Sequence, residues 1–361
     1  MATAPKPRRA PRARLVTLHR WLSLAAAAFW LVQALTGMLT MFHWELRDMA
    51  LGSLHRPTDL AAIERRIDAL APPGTAAAPG SVWISAGLPD RYDISYTDLE
   101  GADQSVRIAG DGTVLSGPGA GRDLFTTLVV IHHDLLAGET GEWIVGISGI
   151  LLLTNLIAGL VVAWPRRGAW RTALRPSTRG AAAARLYGWH RALGLWLVVP
   201  AIILVSAGTM LRFETGVGEL VGSEAPSLAA NPPAGRPIGF AAAARAALGA
   251  IPGSTLTSVS FPGVDDATYR IRVRAPGEIR RAYGASLVLV DANDGRPRGV
   301  FPIAEAEAPR AFMSSLFAVH TGEVGGTAGR VFALLIGLWL ATMIVLGLLL
   351  WARRRRQRTA R

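Results

Sequence analysis

Four stretches of the chain run for about twenty residues without a charged side chain: Leu22–Phe42, Trp143–Trp164, the residues after Arg191 as far as Leu211, and Val331–Trp351. At about 1.5 Å rise per residue, each is long enough as a helix to cross the roughly 30 Å hydrocarbon core of a bilayer. Between the first and second stretches, and again between the third and fourth, polar residues return and the period changes. Thr58–Leu70 places Ile63, Ile67 and Leu70 at helical spacing, and Pro72, Pro73 and Gly74 stop it. Ser81–Ser85, Arg91–Tyr96 and Gln104–Ile108 alternate as strands do, and a turn at Asp111-Gly112 leads into Thr113–Leu115. The second polar region predicts a helix over Phe240–Leu248 and strands over Thr255–Phe261, Thr268–Val273 and Ser286–Val290, followed by a turn at Asp291–Gly295. Residues 222–237, rich in Pro, Ala and Gly, read as a linker.

The two halves repeat each other. His19 to Gly37 is eighteen residues, as is His190 to Gly208; His132 to Gly141 is nine, as is His320 to Gly329. Both second spans end in Trp and then arginine, at Trp164 and Trp351. An internal duplication of a two-span unit follows. The expected order is a basic arm (1–18), a first span (19–42), an external α+β domain (43–131), an external histidine segment with the second span (132–164) and a basic loop (165–189). The third span (190–212), a second external α+β domain (213–319), a second histidine segment and span (320–351) and an arginine-rich tail (352–361) complete it. The fold class expected is a membrane protein: an all-α four-helix bundle carrying two small α+β domains. Two halves of like orientation imply a pseudo-two-fold axis along the membrane normal. The first span is read as an uncleaved helix, because it exceeds a signal-peptide apolar core and no A-x-A site follows.

Charge supplies the orientation. The chain has 361 residues and a net charge of +12, and residues 1–20, 165–191 and 352–361 hold 19 of its 38 Lys and Arg and none of its 26 acids. Arginines packed into short segments flanking apolar spans put those segments, and both termini, in the cytoplasm. Basic residues are not interleaved with base-stacking aromatics, so no nucleic-acid role is expected. The absence of cysteine excludes disulfides, iron–sulfur clusters, zinc–thiolate sites and covalent haem attachment.

Histidine therefore carries the candidate chemistry. The duplication pairs His19 with His190 at the cytoplasmic face and His132 with His320 at the external face. One histidine from each half at the same depth suits a bis-histidine haem b, so two haems stacked across the membrane are expected. The plain alternative is an interfacial side chain at a span end; repetition at matched spacing is what favours ligation. His133 adjoins His132 but aligns with Thr321, and His43 aligns with Glu214; both are reserve ligands. His55 reads as surface. Arg20 and Arg191 follow the paired histidines, as haem-propionate partners or as positive-inside anchors. Gly37, Gly149, Gly159, Gly208, Gly337 and Gly347 lie within spans, where small residues admit a neighbouring helix or a porphyrin face. Gly117–Gly121 is a weak match to a dinucleotide loop, and there is no Walker, H-E-x-x-H or G-x-S-x-G motif.

His19-Arg-Trp before a span with Thr36-Gly37, His132 before Gly141 and Trp164-Pro-Arg-Arg, Trp189-His-Arg, and His320-Thr-Gly before Trp351 together resemble the PepSY-associated transmembrane helix family. That family includes iron-regulated inner-membrane proteins and ferric-siderophore reductases. The resemblance implies a bacterial inner-membrane protein with PepSY-like periplasmic domains. In the reductase branch it implies b haems passing electrons outward to a ferric siderophore or other iron complex, from quinol or a cytoplasmic reductase. Two rivals are a haem-free membrane-anchored module that binds a periplasmic partner protein, and an accessory subunit of iron or siderophore uptake. The latter needs mid-membrane polar groups, for which only Gln33, Asn155 and Pro200 qualify.

Overall fold

The computed structural model describes residues 11–52, 55–118 and 123–359. Most of the basic arm, the end of the Gly117–Gly121 loop and the last two residues of the arginine tail lie outside them. The helices are α1 (Pro11–Thr40), α2 (His43–Ala50), α3 (Leu60–Leu70), α4 (Leu124–Asp134), α5 (Gly138–Ala163), α6 (Trp170–Ala173), α7 (Ala182–Arg212), α8 (Glu214–Val221), α9 (Phe240–Ala250), α10 (Ala308–His320) and α11 (Gly326–Thr359). The strands are β1 (Ala78–Ile84), β2 (Arg91–Thr97), β3 (Asp103–Ala109), β4 (Val114–Ser116), β5 (Thr255–Ser260), β6 (Thr268–Arg274), β7 (Ser286–Asp291) and β8 (Pro297–Phe301). The chain divides into two compact units.

The first unit comprises Met1–Met41, Thr127–Phe213 and Val319–Arg361 and contains four long apolar helices, α1, α5, α7 and α11. They are longer than the charge-free stretches because Ala and Arg at their ends are strong helix formers. Arg353–Arg356 therefore extend α11 by a further turn. α1 packs on α5 and α11, and α7 packs on the same two, so α1 and α7 stand at opposite corners of the bundle. Val198, Ala201, Val205, Ile336, Trp339 and Leu340 fill its centre. Trp30, also buried, donates to Ser148 Oγ at 3.0 Å.

The repeated His-to-Gly spacing has a local cause. α4 and α10 each end at the histidine segment, and the chain must reverse sharply into α5 and α11. A β-carbon on Gly141 would overlap the carbonyl of Asp134, and one on Gly329 would overlap that of Gly322. Both glycines exist so that the turn can fold back onto the following helix. Both copies place a glycine of positive φ six residues after the histidine, Gly138 at 55° and Gly326 at 58°, but the second adds Gly322 whereas the first holds Leu135 and Leu136 at φ of 58° and 63°. Branched apolar residues there are strained.

The second unit comprises Phe42–Thr126 and Glu214–Ala318. The two α+β stretches, expected as separate domains, join in one eight-stranded antiparallel sheet of order β4-β3-β2-β1-β5-β6-β7-β8. The junction is β1 against β5, with Val82 opposite Val259, and each half brings one helix and four strands to it. Pairing the two edges satisfies backbone groups that two separate sheets would leave open. α3 and α9 cover one face, burying Ile63, Ile67, Phe240, Ala243 and Ala247 against Val82, Ile94, Val106, Ile271 and Val288. The chain as a whole is thus a four-span membrane protein with a substantial antiparallel sheet, and the all-α description holds for the spans alone.

Behind the first half of that sheet lies a buried charge network. Arg107, 2% exposed, meets Asp48 of α2 at 2.6 Å and approaches Asp93 at 3.6 Å. Asp48 also accepts from Ser85 Oγ at 2.6 Å and Leu88 N at 2.8 Å. Burial pushes the Asp93 carboxyl up and the Arg107 guanidinium down from their ordinary ranges.

Candidate functional site: two histidine pairs in the bundle

The four duplicated histidines meet in two pairs. The His19 and His190 rings lie with centroids 6.2 Å apart and planes at 56°; those of His132 and His320 lie 6.3 Å apart at 24°. His19 and His190 come from the opposed helices α1 and α7. His132 and His320 sit near the ends of α4 and α10, just before the other two spans.

Each ring rests on a glycine of a neighbouring span. His132 lies on Gly37 of α1, His320 on Gly208 of α7, His19 on Gly159 of α5 and His190 on Gly347 of α11. A β-carbon would stand 2.9 Å from the His132 ring at Gly37 and 3.0 Å from the His19 ring at Gly159, but 3.6 Å from the His190 ring at Gly347. Gly37 and Gly208 are repeat partners, and so are Gly159 and Gly347, each 27 residues beyond its outer histidine. Gly149 and Gly337 meet Thr209 and Met38 instead, so they serve helix packing.

Hydrogen bonds set the ring nitrogens. His19 Nδ1 is 3.1 Å from the carbonyl of Asn155, and His320 Nδ1 is 3.0 Å from that of Leu204. A carbonyl only accepts, so each Nδ1 carries the proton and leaves the Nε2 lone pair available. His132 reaches the same state through Thr36. The Thr36 hydroxyl donates to the Val32 carbonyl at 2.8 Å and so accepts from His132 Nδ1 at 3.2 Å. His190 Nδ1 is buried with no partner among the described residues. Three histidines thus have Nδ1 held by an outer partner, which leaves the Nε2 lone pair free. A glycine lies beside each of the four rings, and the fourth histidine, His190, departs from the pattern in lacking an outer partner at Nδ1 among the described residues. Among the described residues no cluster of three or more His, Cys, Asp or Glu could hold a free metal ion.

The remaining candidates separate from these pairs. His133 is exposed and lies beside His132, at 6.0 Å between centroids, while His132 alone of the two faces His320. His43 belongs to α2 in the second unit, with its ring tilted 37° to that of Trp44 at 4.3 Å between centroids. His55 pairs with Asp90 at 3.1 Å on the surface. Arg20 is exposed and lies over the Trp21 ring at 5.5 Å, whereas Arg191 is half-buried and donates to the Ala163 carbonyl. The repeat-matched arginines therefore have different surroundings. The sequence marked Thr36 only as part of the Thr36-Gly37 motif, and the contacts of Thr36 and of the Asn155 and Leu204 carbonyls with the histidines were not legible, because they span 96 to 136 residues. Arg330 was likewise silent; it is 5% exposed and donates to the Met41 carbonyl at 2.6 Å, tying α11 to the end of α1.

No curated protein matches the chain. The family model of the PepSY-associated TM region matches residues 16–354, and with its four apolar helices the chain belongs to that family as a multi-pass membrane protein.

Proposed function

We propose that this chain is a bacterial inner-membrane di-haem b protein that passes electrons across the bilayer to a periplasmic acceptor, a ferric siderophore or another iron complex. The observation that carries the reading is the spacing of the two histidine pairs. Two imidazoles on opposite sides of one metal, at a bond length of about 2.0 Å, place their ring centres roughly 6.3 Å apart. The pairs stand at 6.2 Å and 6.3 Å.

His19 with His190, and His132 with His320, would hold the two groups. Each, when bound, supplies a one-electron Fe(III)/Fe(II) couple. The Nδ1 hydrogen bonds of His19, His132 and His320 fix the tautomer of those three rings, and a glycine lies beside each of the four. Gly37, against His132, lies eighteen residues along α1 from His19, so the pairs are separated by about 27 Å of helix rise, close to the bilayer core. With the arginine-rich ends in the cytoplasm, the outer pair faces the periplasm. One electron delivered to a ferric complex there gives ferrous iron, which hard oxygen ligands hold less tightly. The donor class is quinol or a cytoplasmic reductase.

The test is a pyridine haemochrome count and a dithionite-reduced spectrum of the purified protein. Two low-spin b haems per chain are expected, with His19→Ala or His190→Ala removing one and His132→Ala or His320→Ala the other. Absence of haem after expression with added haem would overturn the reading and turn attention to a protein partner of the sheet unit.

A further inference from the structure

The loop between α5 and α7 builds a cavity that the histidine pairs do not use. After α6 the chain folds back onto the first turns of α7. Gly188 admits Ser177 so closely that a β-carbon would stand 2.9 Å from the Ser177 side chain. Trp196 Nε1 donates to the Leu174 carbonyl at 3.0 Å, and Arg185 donates to the Gly180 carbonyl at 2.7 Å. These contacts fix the walls of a cavity of about 540 Å³ lined by Arg171, Thr172, Arg175, Ser177, Tyr187 and Arg191.

Its electrostatics are one-sided. Three guanidinium groups surround the cavity, no lining residue is acidic, and residues 165–191 contain no acid at all. Arg191 is held in place, with Nε and Nη2 at 3.3 Å and 3.4 Å from the Ala163 carbonyl. A fourth guanidinium, that of Arg354, lies over the Tyr187 ring at 5.5 Å. Converging like charges repel, and a bound anion removes the penalty. Forked guanidinium donors beside the Thr172 and Tyr187 hydroxyls match phosphate oxygens, the Ser177 hydroxyl donating instead to the Arg179 carbonyl at 3.2 Å, and the volume suits a small ligand or headgroup.

We propose that this cavity binds a phosphate group, carried by an anionic phospholipid or by a soluble phosphate compound. Trp164 and Trp170 pack edge to face at 5.1 Å at the same end of the bundle. Such tryptophans mark the headgroup level, where basic pockets between spans take anionic lipid.

The test uses the full chain in detergent, with native mass spectrometry against phosphatidylglycerol, cardiolipin and phosphatidylcholine, and calorimetry with inorganic phosphate. Arg171→Gln with Arg175→Gln is the pocket variant. Arg353→Gln with Arg356→Gln removes the same charge from the exposed tail. Arg171→Lys with Arg175→Lys keeps the charge and guards against misfolding. The proposal expects at least a tenfold loss of anionic-lipid binding in the pocket variant, less than twofold in the tail variant and an intermediate loss in the lysine variant. The same pattern with inorganic phosphate instead of lipid supports the phosphate site and assigns it a soluble ligand. Equal losses in the pocket and tail variants, or no anion bound by the unmodified chain, would overturn it.

Discussion

Gly37 lies against the His132 ring so closely that a single added methyl would stand 2.9 Å from its Cε1 atom. The glycine is a condition for the position of the histidine; Gly159 and Gly208 stand in the same relation to His19 and His320, whereas Gly347 meets His190 at ordinary contact distance.

This makes the glycines separable by experiment. Gly37→Ala and Gly159→Ala each force their ring to move, an overpacking cost of about 1–3 kcal/mol. Each should lower haem occupancy at its own pair several-fold. Gly347→Ala, where the methyl would stand at ordinary contact distance of 3.6 Å, should leave occupancy within twofold of the parent. A haemochrome count on each variant reads this directly, and equal losses in all three would show that the cradle does not position the rings.

Among the described residues, Thr36 supplies the side-chain hydrogen bond that orients His132 of the outer pair. Thr36→Val keeps the shape and removes the acceptor at His132 Nδ1. Loss of such an outer partner typically weakens metal binding 10- to 100-fold. Haem retention at the outer pair should fall accordingly during dilution, with the inner pair unchanged; a Val variant that retains both haems would remove Thr36 from the site.

In the sheet unit, Asp48→Asn takes from the buried Arg107 guanidinium its nearer carboxylate, at 2.6 Å, and leaves Asp93 at 3.6 Å. Breaking a buried pair from one side costs about 3–5 kcal/mol. Asp48→Leu combined with Arg107→Met should recover much of that loss, because the buried charges go together. Hydrogen exchange on β3 amides in the intact protein measures both, and a double variant as unstable as the single one would contradict the argument.

The β3–β4 turn provides a pH test. The Arg56 hydrogen bond to Asp111, 2.6 Å long, with help from Thr113, holds the Asp111 carboxyl down at about 2, from an ordinary 3.8. A folded-state value below the unfolded one stabilises the charged form. The contribution is therefore complete above about pH 4 and is lost as the pH falls toward 2. Arg56→Ala should move the carboxyl titration, followed by NMR, back toward 3.8; an unmoved titration would assign the shift to the turn backbone alone.

Much of the bundle was legible in sequence because its rules are local. A charge-free run of twenty residues needs only length and hydropathy to be read, and the duplication shows in spacings between histidine and glycine that no tertiary information is needed to count. The strands showed through alternation, as in Arg91–Tyr96 and Thr268–Val273. β8 did not, because Pro297 opens it, and α10 was not read although Pro309 and Gly322 mark its two ends. The helical turn α2, which carries Asp48, was likewise hidden in eight mixed residues.

What the sequence determined by itself was therefore the four spans, their repeat, the arginine-rich ends and the pairing of histidines by position. Tertiary structure alone decided three things. It joined the two α+β stretches into one sheet through Val82 and Val259, since an edge strand has no sequence mark for the partner it will find. It set how closely His132, which the repeat already matched to His320, approaches that ring, at 6.3 Å between centroids, since contacts between residues so far apart in sequence are made only by packing. It gave Arg20 and Arg191 different surroundings, because a duplicated sequence repeats its own helices and the loop that follows α6 exists in only one copy.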